Sequence, residues 1–162
     1  MRKRIYTGRN IPNEDGVVVF LIGMRVNKWR AVHKWLPVFK AMPPMIKELY
    51  TTKDLGFLSM ETFAGIRTTL MVQYWRSSEQ LISYAHNEKH LNAWKNFNDK
   101  MRNNNAVGIY HETYLVPEGN CEGIYRNMPL FGLGQALGQK PVTNDMQSSR
   151  QRLKKAGNTA AP

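Results

Sequence analysis

From Val17 to Met24 the chain is apolar and rich in β-branched residues, with turn formers at Asn13 and Asp15 before it, which predicts a buried strand over residues 17–26. Val38, Phe39, Met42, Met45, Ile46, Leu49 and Tyr50 then recur at threes and fours, the period of an amphipathic helix between Lys28 and Thr52. Pro37, Pro43 and Pro44 interrupt that period, so the pattern predicts two or three short helical pieces. Leu55 and Gly56 close the region. Phe57–Phe63 and Ile66–Trp75 read as a hairpin turning near Ala64 and Gly65. Ser77 to Gln80 has the Ser-x-x-Gln spacing of a capping box and opens a helix predicted to reach about Arg102, where Asn103, Asn104 and Asn105 stop it. A last strand follows over Ala106–Val116 and ends before Pro117.

The order β-α-β-β-α-β is that of an α+β, ferredoxin-like domain: an antiparallel four-stranded sheet with both helices on one face. A second copy packed sheet to sheet would cover the other face, giving a dimeric α+β barrel and a homodimer. The expected organisation is an N-terminal arm over residues 1–15, the domain over 16–140, and a basic flexible tail over 141–162. Tyr125 to Gly134 holds too many large apolar residues for a free segment and is expected to lie over the pocket or the dimer seam.

Charge changes this picture little. The formal net charge is +11, from 23 basic and 12 acidic residues, but the basic residues are scattered, with small concentrations at Arg2 to Arg4 and Arg150 to Lys155. Nucleic-acid binding rests on charge alone and is not the expected function. Cys121 is the single cysteine, which excludes an internal disulfide and points to a reducing compartment. The apolar run at Val17–Met24 is too short for a bilayer, and Asn13-Glu14-Asp15 spoils a signal peptide, so a cytoplasmic protein without membrane partners is expected.

The candidate chemistry lies in two segments. On a helix, His90 falls between Trp94 and Phe97 on a face shared with His86, Ala93 and Met101, where aromatic bulk concentrates. His86 and His90, four residues apart, could reach one metal, but Asn87 stands where a zinc protease carries its glutamate. An imidazole projecting into an aromatic, methionine-rich cavity suits haem better. His111 shares a strand face with Val107, Ile109, Thr113 and Leu115, and both histidines are expected to look into one buried pocket. A distal histidine there would act as general acid or base; the alternative is a core histidine bonded to a backbone carbonyl. Ser59 shares its predicted face with Phe57, Glu61 and Phe63 and could hold a substrate, or be an ordinary strand serine. Arg25 ends the first strand and could supply a fixed cation, or be solvated.

The blocks His90-Leu91-x-Ala93-Trp94-x-x-Phe97, Tyr110-His111-Glu112 and Tyr125-x-Asn127-x-Pro129-x-x-Gly132-Leu133 resemble the carboxy-terminal half of the haem-containing aldoxime dehydratases. A family of small monooxygenase-like proteins is more similar still, over about residues 15–140. The resemblance implies a haem b iron held by His90, with His111 as distal acid–base group; His86, Trp94 and Phe97, which accompany His90 on its predicted helix face, are expected around the cofactor. It also implies Ser59 holding a substrate hydroxyl and Arg25 as the nearest counterpart of a substrate-binding arginine. The implied activity is a haem-dependent lyase converting a small aldoxime to a nitrile plus water. A haem or cofactor-free monooxygenase, or a ligand-binding barrel without catalysis, are the alternatives.

Overall fold

The computed structural model describes residues 9–10, 16–87, 90–91, 95, 98–99, 102 and 104–155. Strands β1 (Arg9–Asn10), β2 (Val17–Val26), β3 (Phe57–Ala64), β4 (Thr68–Trp75) and β5 (Val107–Val116) alternate with helices α1 (Val32–Thr51) and α2 (Ser78–Ala85). The main sheet has the order β3-β4-β2-β5, and each pairing in it is antiparallel. This is the ferredoxin-like arrangement that the order of elements predicts, an α+β fold. Among the described residues no helix is long and apolar enough to cross a membrane.

Helix α1 runs unbroken through Pro37, Pro43 and Pro44, where the sequence predicts separate pieces. Each proline withholds one N–H from the helix. Burial on both sides of the proline pair outweighs that loss. Val38 packs with Met24, Val26 and Val107, and Leu49 packs with Val18, Trp75, Leu81 and Tyr84. The core is therefore two clusters strung along one helix, with Met42, Met45 and Ile46 on the stretch between them.

The second helix departs from the predicted single rod. Its start is as expected: Ser77 is the N-cap, and its hydroxyl oxygen accepts the Gln80 N–H at 3.2 Å. It ends at His86, whose backbone N–H and Nδ1 both donate to the Ile82 carbonyl, at 3.0 and 2.8 Å. The described residues between 90 and 99 are helical again, with the Leu91 N–H donating to the Asn87 carbonyl at 2.8 Å. His86 is thus exposed at a break.

A three-stranded sheet of two-residue strands lies apart from the main one. In it β1 is central, flanked by β6 (Ile124–Tyr125) and β7 (Lys140–Pro141). Between these flanks, Phe131 and the short helix α3 (Leu133–Ala136) pack on β3 and β4 as a strap over the face that α1 leaves uncovered. Within residues 141–155, where composition predicts a tail, the chain forms a 3-10 turn at Asn144–Met146 and helix α4 (Ser149–Lys155). Arg152 pins that helix, donating to Glu122 at 2.7 Å and to the Met146 carbonyl at 3.0 Å while itself buried.

Candidate functional site

Between α1 and the sheet lies a cavity of about 80 Å3 whose walls include Phe20, Met42, Met45, Met71, Tyr84 and His90. It occupies the gap between the two core clusters. Methionine and phenylalanine make it apolar and adaptable, a wall suited to a small hydrophobic molecule. His90 is its one titratable imidazole. Nδ1 of that ring is buried with no hydrogen-bond partner among the described residues, and the ring packs against Tyr84 at a tilt of 49°, centroids 4.9 Å apart. Burial lowers the His90 pKa below the ordinary histidine value, against a smaller opposing pull from Glu48. The imidazole is therefore neutral near pH 7. It can take a proton or offer a lone pair.

Tyr84 is the wall between this cavity and an open polar cleft of about 430 Å3 that Asp54, Gln80, Ser83 and His86 also line. Its ring packs on Trp75 at 5.4 Å, and its hydroxyl is buried with no partner among the described residues. Burial, then Glu48, pushes the Tyr84 pKa up to about 12, so the phenol stays protonated.

The other predicted site residues fall elsewhere. His111 lies on the same side of the sheet as His90, opposite Ile22 in the β2–β5 register, but it is exposed because β5 is an edge strand. Its only ring contact among the described residues is Phe20, at 5.7 Å, and Phe20 in turn lines the cavity. The two histidines therefore do not share one buried pocket. Ser59 is buried on the opposite face. A β-bulge between Phe57 and Ser59 puts Phe57 against Tyr50 and Trp75 on the helix side and turns Ser59 toward the strap. There its hydroxyl donates to the Gly132 carbonyl at 3.5 Å. Arg25, opposite Thr68 and Gly108, is exposed on that same far face. His86 lines the cleft instead of the cavity. Trp94 and Phe97 lie outside the described residues.

A haem at His90 would find suitable donor chemistry, a buried, neutral, unpartnered imidazole. It would not find room. Cofactor pockets run to roughly 300–1,000 Å3, against about 80 Å3 here. As folded, the described residues do not fit the macrocycle, and among them no group of three or more His, Cys, Asp or Glu side chains could hold a metal ion.

Sequence reasoning missed Gln80 and Tyr84 as lining residues. Gln80 was legible as a capping-box member, and only the Ser77 half of that box forms. Its own Oε1 is buried against Gly56 without a partner. Tyr84 stands six residues before His90, and only the helix break brings their rings together.

Comparison with known proteins agrees with the fold. Residues 17–133 match the family model described as monooxygenase af470-like. Monooxygenase af470 of Aspergillus fumigatus is 28% identical over 141 residues, covering 82% of this chain and 50% of that protein. The chain thus spans about half the length of that relative. A crystal structure of aldoxime dehydratase superimposes with a TM-score of 0.65 at 19% identity, over 86% of this chain and 43% of the other. Aldoxime dehydratase OxdRE, crystallised with butyraldoxime, gives 0.64 at 15% identity over 85% and 41%. At these identities the likeness is one of fold.

Proposed function

The chain belongs to the monooxygenase af470-like family, and from that membership we propose that it is a monooxygenase-type enzyme acting on a small apolar organic molecule, with His90 as its acid–base group. The observation that carries the reading is the neutral, unpartnered His90 imidazole on the wall of a methionine-rich cavity. In a reaction whose electrons come from the substrate, His90 removes a proton from an activated CH2 group, the carbanion reduces dioxygen to a carbon-bound peroxide anion, and His90 returns the proton to give the hydroperoxide. Loss of the second C–H proton to His90 expels hydroxide, which His90 protonates to water. One oxygen atom ends in a carbonyl and the other in water. Tyr84, protonated and packed against His90, keeps the ring oriented and excludes bulk water from that side.

A second reading is haem-dependent chemistry, lyase or oxygenase, with His90 as the iron ligand and His111 as a more distant proton carrier. The unpartnered imidazole favours it, and so does the fold shared with an aldoxime dehydratase that binds butyraldoxime. It requires the cavity to open severalfold. One titration separates the two: hemin added to wild type and to His90→Ala, followed by the visible spectrum and by oxygen uptake. Unchanged oxygen uptake without a Soret band supports the first reading. A Soret band lost in His90→Ala, with activity only when hemin is present, supports the second. A homodimer belongs to this reading, since the chain spans about half the length of its relatives; sedimentation equilibrium at twice the monomer mass is the expected result.

A further inference from the structure

Besides His90 and Tyr84, one polar side chain lines the apolar cavity: Gln73, from strand β4. We propose that Gln73 is a substrate-binding residue whose side-chain N–H donates to a carbonyl oxygen next to the carbon that His90 deprotonates, so that the reactive part of the substrate is a neutral ketone or aldehyde. This rests on the reading of His90 as the base, and names the substrate class for it.

Gln73 is paired with Phe20 of β2 on one flank and Met60 of β3 on the other, and Phe20 is itself a cavity wall. It is 6% exposed, so its amide belongs to the core and not to solvent. Chemistry fixes which way the amide is turned. The Trp75 indole N–H can only donate, so the atom it meets at 3.0 Å is the amide oxygen. Among the described residues the NH2 end then meets only the Met60 sulfur, at 3.8 Å. A thioether is a weak acceptor and engages one N–H, which leaves the other unspent. Holding Trp75 needs an oxygen alone, so the spare donor is surplus to that structural role. The cavity sets the rest. An apolar space of about 150 Å3 takes a benzene ring, so one of about 80 Å3 takes a fragment of a few heavy atoms, small enough to reach Gln73 and His90 together. Among the described residues no carboxylate, lysine or arginine lines it, so a charged fragment would be buried uncompensated. A carbonyl brings an acceptor without a charge. When His90 takes the proton from the neighbouring carbon, the C–H electron pair forms the enolate double bond and the carbonyl π pair moves onto oxygen, with no oxidant entering the step. The Gln73 hydrogen bond strengthens as that oxygen gains charge, which favours the carbanion that meets dioxygen.

Acetone and isobutene, which has CH2 in place of the oxygen, are the probes, titrated into the whole protein and read by nuclear magnetic resonance of the Met42, Met45 and Met71 methyl groups on the cavity wall. Gln73→Met keeps the bulk and loses the N–H. It should weaken acetone by about fivefold and isobutene by less than about twofold. The infrared carbonyl stretch of bound acetone should lie below its value in hexane in the wild type and return towards it in the variant. Equal effects on the two probes, or a stretch no lower than in hexane, overturns the proposal. Where thermal unfolding shows that Gln73→Met does not fold, Met60→Leu takes its place. Freeing the amide from the sulfur should tighten acetone by about twofold and lower the stretch further, and no change in either overturns the proposal. Hydrogen–deuterium exchange of acetone in D2O without oxygen reads the base separately. A lowered stretch with no exchange, or with exchange that His90→Ala leaves intact, sinks the base and not the donor; exchange lost in His90→Ala without a lowered stretch sinks only the donor.

Discussion

The two faces of the main sheet carry similar polar residues and treat them differently. On the strap side, Glu61 accepts the Gly132 N–H at 2.8 Å, the Tyr125 hydroxyl accepts the Gly134 N–H at 2.9 Å, and Ser59 donates to the Gly132 carbonyl. Those side chains satisfy backbone groups of a loop that would otherwise be buried bare, and so they hold the strap down. Gln139, whose amide is buried beside Gly134 without a partner, is the exception there. On the helix side, Gln73 accepts the Trp75 Nε1–H at 3.0 Å, whereas Gln80 Oε1, the Tyr84 hydroxyl and His90 Nδ1 are buried with no partner among the described residues. Leaving a buried polar group unpaired costs roughly 1–3 kcal/mol, a cost that a bound ligand offsets where it supplies the partner. The residue types alone do not distinguish structure from function; the hydrogen-bond accounting does.

The sharpest way to break this contrast is to exchange histidines. His90→Ala should lower kcat/KM by about 10²–10⁴, whereas His111→Ala, at an exposed strand position, should stay within about twofold. Equal losses in steady-state rates would mean that the cavity is not the reaction site. Next in size is Trp75→Ala. Trp75 is 0% exposed and touches Phe57 and Tyr84, so the thermal unfolding midpoint should record a loss of about 3–5 kcal/mol. On the strap side, Arg152→Ala should cost about 1–3 kcal/mol and raise hydrogen exchange in residues 144–155 without altering turnover. Ser59→Ala should be milder, about 1 kcal/mol or less, with kcat/KM unchanged. A Ser59→Ala enzyme that folds but has lost its activity would place substrate on the wrong face for this account.

The gentlest probe is pH. Folding depresses the His90 pKa, so as pH falls below 6.5 the unfolded chain takes up the proton first. Stability associated with that site is fully present above 6.5 and is lost as pH falls through the depressed value. Melting curves of wild type and His90→Gln should therefore diverge between pH 7 and pH 5, wild type falling faster.

Much of the fold was legible because local rules and burial agree in it. The alternation in Val107–Val116, the apolar run at Val17–Val26 and the Ser77 cap each specify an element that the structure contains. The candidate site was legible only in part. Alternation says which face His111 occupies, but not that its strand is at an edge where nothing covers it. A single inserted residue at Leu58 moves Ser59 across the sheet, and no local signal marks that insertion. His86 was misplaced for a similar reason. The helical wheel assumes an unbroken rod, and the helix ends at His86.

The small sheet bears on how this protein can be cut. Arg9–Asn10 is held on one flank by Ile124–Tyr125 and on the other by Lys140–Pro141. A fragment trimmed to the family-matched residues 17–133 would discard two of those three segments and leave Ile124–Tyr125 facing water alone. Such trimming would also take away Arg152 and strand Glu122. The shortest piece that keeps its own seams closed therefore runs from ahead of Arg9 to beyond Arg152.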